Sequence, residues 1–102
     1  MTDKKQYLRN YLIQQRKIER INEMIVLNPR SRARYLKQLS KCEQTREEIE
    51  EKINMVDDEL LREILFLKYI CGKTLMEISI IIDYSLRHTE RMHKMAVEKI
   101  EI

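Results

Sequence analysis

The chain has 102 residues, of which 36% are charged, with one glycine, one proline and no tryptophan. So few turn residues exclude a β-sandwich or barrel, and the abundance of Lys, Glu, Arg, Leu and Ile favours an all-α fold, as one domain or a small domain with an extension. The net charge of +3 permits a nucleic-acid partner but does not require one.

The sequence carries no pattern typical of membrane insertion or secretion. No apolar run is long enough to span a bilayer, and the opening MTDKKQYLRN lacks the apolar centre of a signal peptide. Cys42 and Cys71 stand apart without a CxxC motif, so we expect two reduced thiols. We therefore predict a cytoplasmic protein without membrane contact.

The first predicted helix runs from about Lys4 to Leu27. Its apolar and semi-apolar residues are spaced alternately by four and three positions, as in a heptad seam that packs along another helix. These residues are Tyr7, Tyr11, Gln14, Ile18, Ile21 and Ile25. Asn28-Pro29 ends the helix, because a residue before proline avoids the α region.

A second helix with the same spacing follows the proline. Ser31 is its predicted N-cap. Its seam consists of Tyr35, Leu39, Cys42, Arg46, Ile49, Ile53 and Val56. Two matched seams predict an antiparallel helical hairpin over residues 1–55, with arms on the order of 35 Å long. Because such arms are too slender to bury their own apolar surface, we expect cover from the C-terminal part or from a homodimer that uses Tyr7, Tyr11 and Ile18.

Residues 56–102 are predicted to form a three-helix domain. Asp57-Asp58 marks the start of its first helix, since carboxylates suit both the N-cap and the positive end of the helix dipole. That helix is predicted to stop at Gly72, the only glycine in the chain, placed where a helix end requires a left-handed backbone.

The stretch GKTLMEISIIIDYSLRHTERMH contains two further helix starts. Thr74 and Glu77 have the spacing of a capping box, and Ser85 is a second N-cap candidate. A strand has no use for a capping box. The isoleucine-rich middle is therefore predicted to form a short support helix over residues 75–82, followed by a second helix over residues 86–100.

The two short helices have the layout of a helix-turn-helix. Asp83 and Tyr84 form the link, and aspartate tolerates the left-handed region better than most residues. On the first helix Ile78 and Ile82 share an inward face, while small Ser79 allows close approach. The inward residues of the second helix are Thr89, Met92, Ala96 and Ile100.

An apolar ridge faces outward from the support helix and consists of Met76, Ile80 and Ile81. We expect this ridge to be covered by the hairpin, by a second protomer or by RNA polymerase. The alternative is that these are scattered exposed apolar residues, which are common on any protein surface.

The pattern LxYIxGKTxxEIxxxxxYSxxxxxRxH runs through this domain and is carried by Leu67, Tyr69, Ile70, Gly72, Lys73, Thr74, Glu77, Ile78, Tyr84, Ser85, Arg91 and His93. It resembles region 4 of bacterial sigma factors and, more closely, the small sigma-like regulators of phages and prophages, the ArpU/RinA type. The resemblance implies a helix-turn-helix that binds double-stranded DNA in the cytoplasm of a bacterial host, with RNA polymerase as a further possible partner. Asp83, Ser79 and Thr89 stand where that family usually has glycine, alanine and valine.

In a helix-turn-helix the second helix lies in the major groove, with its N-terminal residues at the base edges. Arg87, Arg91 and Lys94 share one face of that helix, where arginine can read guanine and lysine can contact phosphate. The full predicted DNA-binding set is Lys73, Thr74, Ser85, Arg87, His88, Arg91 and Lys94. The alternative is that the cations form a solvated helix face.

Catalytic and metal-binding patterns do not stand out. His88 and His93 are not spaced to share a helix face, and no nucleophile–base pair or Gly-rich phosphate loop is recognisable. We therefore expect a protein that is not an enzyme, with no cofactor, no metal and no small-molecule substrate. His93 is expected to be a packing residue.

The function predicted from the sequence is a sequence-specific DNA-binding transcription regulator of phage or prophage type. One alternative is a protein-interaction module that docks on RNA polymerase or another host protein without reading bases. Another is a DNA-packaging subunit similar to a small terminase, which also joins a helix-turn-helix to oligomerising helices. Steep salt dependence of binding favours a DNA reader over the first alternative. Ring-sized oligomers favour the second.

Overall fold

The structure, a computed structural model, describes residues 3–102, which are all-helical: 83% lie in helices and none in a strand. The elements in chain order are α1 (Lys4–Leu27), a 3₁₀ turn (Pro29–Ser31), α2 (Arg32–Asn54), α3 (Glu59–Leu65), a π-helical turn (Phe66–Ile70), α4 (Leu75–Ile82) and α5 (Leu86–Glu98). The predicted all-α class is confirmed. The first two residues of the predicted 1–55 segment lie outside the described range. Within that range, no helix has the length and apolar character needed to cross a membrane.

Helices α1 and α2 pack along each other through the predicted seams, and polar residues in the seams find partners. The Tyr11 hydroxyl donates to Glu50 Oε1 at 2.6 Å. Burial and this hydrogen bond raise the pKa of Tyr11 to about 12. Arg46, which interrupts the apolar spacing of α2, donates to the side-chain oxygen of Gln15 on α1. The polar residue in the seam of α2 therefore has a hydrogen-bond partner on α1.

The main core lies where one end of the α1–α2 pair meets α3, α4 and α5. Its largest fully buried side chains are Leu8, Ile49, Ile53, Ile64, Leu65, Tyr69, Ile78, Thr89 and Ile100. A second, smaller cluster of Ile18, Ile21 and Cys42 lies between α1 and α2 alone. The C-terminal helices thus cover only part of the pair, and the molecule measures 52 × 26 × 23 Å.

The helix starts follow local hydrogen bonds, with one exception. Asp58 accepts from the backbone N–H of Leu61 at 3.0 Å, as a carboxylate N-cap should. Ser31 occupies the predicted N-cap position of α2 but makes no capping bond. Its hydroxyl instead accepts from the Asn28 amide at 3.4 Å, because the chain enters α2 through a 3₁₀ turn that begins at Pro29.

The segment before Gly72 differs from the single α-helix that the sequence predicts. Helix α3 passes into a π-helical turn, in which the N–H of Cys71 donates to the Phe66 carbonyl at 3.1 Å. The turn ends at Gly72, whose φ of 75° is the predicted left-handed conformation. Cys42 and Cys71 are free thiols, the former buried in α2 and the latter exposed after the π-helical turn.

Candidate DNA-binding surface

Helix α4 begins with the predicted capping box. The Thr74 hydroxyl accepts from the Glu77 N–H at 3.2 Å, and the Glu77 carboxylate accepts from the Thr74 N–H at 3.1 Å. These bonds, with Lys73 nearby, lower the pKa of the Glu77 carboxyl. Because that carboxylate already occupies the start of α4, an added phosphate would contact the Thr74 hydroxyl hydrogen or Lys73, not the Thr74 N–H.

The turn between α4 and α5 is closed by a left-handed residue. Asp83 has φ 60° and ψ 46°, and it is the only non-glycine residue with positive φ in the described range. The N–H of Tyr84 donates to the Ser79 carbonyl at 3.1 Å, which completes the C-terminal end of α4. The Ser79 side chain is buried and donates to the Met76 carbonyl at 2.6 Å.

Helix α5 starts at Ser85, whose hydroxyl accepts from the His88 N–H at 3.1 Å. Unlike α4, this helix has no acidic residue in its first turn. The positive end of its dipole is therefore not neutralised by a carboxylate in that turn. The Ser85 hydroxyl keeps its hydrogen as a donor, because the cap uses only its oxygen as an acceptor.

The two faces of α5 differ sharply in burial. Its buried residues are Thr89, Met92, His93, Ala96 and Val97. The three cations predicted to share a face, Arg87, Arg91 and Lys94, are exposed. The structure thus places the buried residues and the three cations on different sides of the helix, and none of these cations lies in the core.

All seven residues of the predicted DNA-binding set are exposed: Lys73, Thr74, Ser85, Arg87, His88, Arg91 and Lys94. They lie at the starts of α4 and α5 and along the outer side of α5. The imidazole of His88 packs against the ring of Tyr84, with centroids 5.1 Å apart. That contact lies beside the Ser85 cap, in the first turn of α5.

His93 is a buried packing residue and does not belong to this surface. Its Nε2 lies 2.7 Å from the hydroxyl oxygen of Tyr69, across from α5 on the π-helical turn. Burial, followed by the charges of Lys68, Lys5 and Arg9, lowers the pKa of His93 to about 4. The imidazole is therefore neutral at physiological pH and links two elements of the core.

The residues of the predicted protein interface fall into two groups. Tyr11 and Ile18 are buried within the single chain and Tyr7 is half-buried, so these side chains are already occupied by intrachain packing. The side chains of the ridge remain exposed to solvent, with exposed fractions of 54% for Met76, 74% for Ile80 and 51% for Ile81. Of the predicted interface residues, those of the ridge are the ones whose apolar surface is exposed and could contact a partner.

Three cations next to this surface were not predicted from the sequence. Lys5 and Arg9 on α1 lie near Lys68 of the π-helical turn, and Arg9 and Lys68 share a cleft with Lys73. The only sequence signal for them was the spacing of Lys5 and Arg9, which lie one helical turn apart and therefore share a face of α1. It could show a cationic face on α1, but not that this face meets the start of α4.

Within residues 3–102, no three His, Cys, Asp or Glu side chains are grouped so that they could hold a metal ion.

Comparison with known proteins finds no protein-family model, no curated protein and no solved structure that matches this chain. The resemblance to sigma-like regulators consequently depends on the motif residues alone.

Proposed function

We propose that this protein is a sequence-specific DNA-binding transcription regulator of the phage or prophage type. In this proposal α1 and α2 form an antiparallel hairpin that positions or dimerises the protein, and α3, α4 and α5 form the helix-turn-helix domain. Helix α4 is the support helix, and α5 enters the major groove of double-stranded DNA.

The observation that carries the proposal is the combination of caps and faces on α4 and α5. Both helices start at side-chain caps, Thr74 and Ser85, and a left-handed Asp83 joins them. The outer face of α5 presents exposed cations, while its inner face is buried. A solvated helix face can carry cations, but it requires neither a capped partner helix nor a first turn without acidic residues.

The chemistry of DNA reading would divide between these residues. Arg87 and Arg91 can each donate two parallel hydrogen bonds to the O6 and N7 atoms of guanine. Lys94, Ser85 and Lys73 suit phosphate oxygens, which hold the helix in place without reading sequence. A dimer would then place two half-sites about one helical turn of DNA apart, or a multiple of that distance.

An unbiased selection of bound sequences from random double-stranded DNA tests the proposal. A reader of bases enriches a motif, and its affinity for that motif falls steeply as salt rises, because phosphate contacts release counterions. A protein that enriches no motif is not a sequence-specific regulator, whatever its affinity for DNA.

The exposed ridge of Met76, Ile80 and Ile81 favours a second candidate function, docking on RNA polymerase or another protein. Contiguous exposed apolar residues on a small domain are suited to a protein partner. This candidate is distinguished by its salt response, since burial of apolar surface is far less sensitive to salt than phosphate binding.

A further inference from the structure

A cleft opens where α1, the π-helical turn and the start of α4 meet. Its walls include Arg9 and Leu12 of α1, Lys68 and Tyr69 of the turn, and Lys73 and Thr74 before α4. The elements approach closely here, since a Cβ atom on Gly72 would lie 3.6 Å from Leu12 Cδ1. The cleft therefore joins a helix of the N-terminal pair to the predicted DNA-binding surface.

The cleft gathers positive charge from three separate parts of the chain. Burial lowers the pKa of Lys68, and the charges of Arg9 and Lys5 lower it further. Lys5, Arg9 and Lys73 are exposed, so their charged groups are not held in the core. The carboxylate of Asp3 is the cap of α1 and accepts from the backbone N–H of Lys5. Its negative charge adds to the effect of burial in raising the pKa of Tyr69.

Cations that are close enough to repel one another favour an anion between them. In a helix-turn-helix the first helix crosses the DNA backbone, so the strand would pass the start of α4, where Lys73 and Thr74 lie. Arg9 and Lys68 line the same cleft as those two residues. A phosphate that reaches the start of α4 is thus adjacent to the cations of α1 and of the π-helical turn.

We propose that Lys5, Arg9 and Lys68 bind backbone phosphates of the DNA beside the segment that α5 reads, which makes α1 part of the DNA interface. This inference rests on the proposed function and deepens it. Phosphate contacts carry no base information, so these three residues set affinity and salt dependence, while Arg87 and Arg91 set the preferred sequence.

The test compares salt dependence in two double variants. Lys5→Gln/Arg9→Gln removes charge from exposed residues of the cluster, and Lys17→Gln/Arg20→Gln removes equal charge from exposed residues farther along α1. Binding to the selected DNA and to random duplex is measured over a range of salt concentrations. The expected slope of log affinity against log salt becomes shallower by about 0.9 for each lost phosphate contact, roughly 1.8 for the first variant and near zero for the second. The enriched motif stays the same.

Each outcome separates this inference from the proposed function. If the wild type enriches a motif and both variants keep its salt slope, the phosphate-binding role of α1 is wrong and the regulator proposal stands. If the wild type enriches no motif but the first variant alone loses salt dependence, the phosphate contacts stand and base reading is lost. If the wild type binds no DNA, both proposals fail and the cations would instead suit an acidic protein surface.

Discussion

The hydroxyl of Tyr69 and Nε2 of His93 share a buried hydrogen bond of 2.7 Å that joins the π-helical turn to α5. The two rings also stack, with centroids 5.7 Å apart. Burial raises the pKa of Tyr69 to about 12, and burial with nearby cations lowers the pKa of His93 to about 4. Both groups are neutral at pH 7, so the helix that carries the predicted reading residues is tied to the core by an uncharged polar contact.

This pairing predicts that the free energy of unfolding falls as pH is lowered from about 6.5 toward 4. In the unfolded chain His93 takes up a proton near its usual pKa of 6.5, whereas in the folded protein its pKa is about 4. Stability thus rises with pH in this window, by at most about 1.4 kcal/mol per pH unit for one proton. Urea unfolding at pH 5.0 and 6.5 measures the difference.

The matched variants for this prediction are His93→Gln and His88→Gln. The first replaces the buried imidazole and should remove most of the pH dependence between pH 5.0 and 6.5. The second replaces an imidazole that is exposed in the structure, so this variant should retain the pH dependence. An unchanged pH slope in His93→Gln would contradict a proton uptake coupled to unfolding at this residue.

Gly72 is predicted to be required for its backbone conformation and not for space. Its φ is 75°, and an added Cβ would meet only ordinary van der Waals contact with Leu12. Gly72→Ala should therefore cost about 1–2 kcal/mol from the left-handed strain of an L-residue, and Gly72→Asn less, because asparagine adopts this region more readily. Chemical denaturation measures both. A gain in stability for Gly72→Ala, as occurs where φ is negative, would contradict the assignment.

Local chemistry explains why α4 could be predicted from the sequence within its exact bounds. The Thr74–Glu77 box, the glycine before it and the left-handed Asp83 after it all act within a few residues. The same reasoning predicted the cap at Ser85 and the buried residues Thr89, Met92 and Ala96 of α5, but the predicted end at residue 100 was wrong, because the helix ends at Glu98. These signals lie in neighbouring residues, so they do not depend on how distant helices pack.

Long-range packing accounts for what the sequence did not show. The pattern from residue 58 to Gly72 is that of one α-helix, but residues 66–70 form a π-helical turn. That turn carries Tyr69, whose partner His93 is 24 positions away. The cationic cleft has the same origin, because the proximity of Arg9 and Lys73 arises only when α1 packs against the turn.

The apolar ridge gives a prediction about assembly. If Ile80 and Ile81 pair with a second protomer, Ile80→Glu/Ile81→Glu should convert a dimer into a folded monomer. Both side chains are exposed in the single chain, so the substitutions leave its core intact. Light scattering gives the mass, and circular dichroism checks the fold.

A control double variant, Val26→Glu/Leu27→Glu, places the same charges at exposed apolar residues at the end of α1. A dimer that survives the ridge variant but not this control would assign the interface to the free end of the α1–α2 pair. If neither variant changes the mass or the stability, the ridge consists of ordinary exposed residues.

The most direct test of the central claim compares the DNA motifs enriched by the wild type, Arg87→Ala, Arg91→Ala and a control, Arg20→Ala, in which an exposed arginine of α1 is replaced. We predict that the wild type and the control enrich one motif, and that each α5 variant relaxes it at a guanine, at a cost of about 1–3 kcal/mol there. A wild type that enriches no motif would contradict sequence-specific binding. Identical motifs from all four proteins would contradict the assignment of Arg87 and Arg91 as the reading residues.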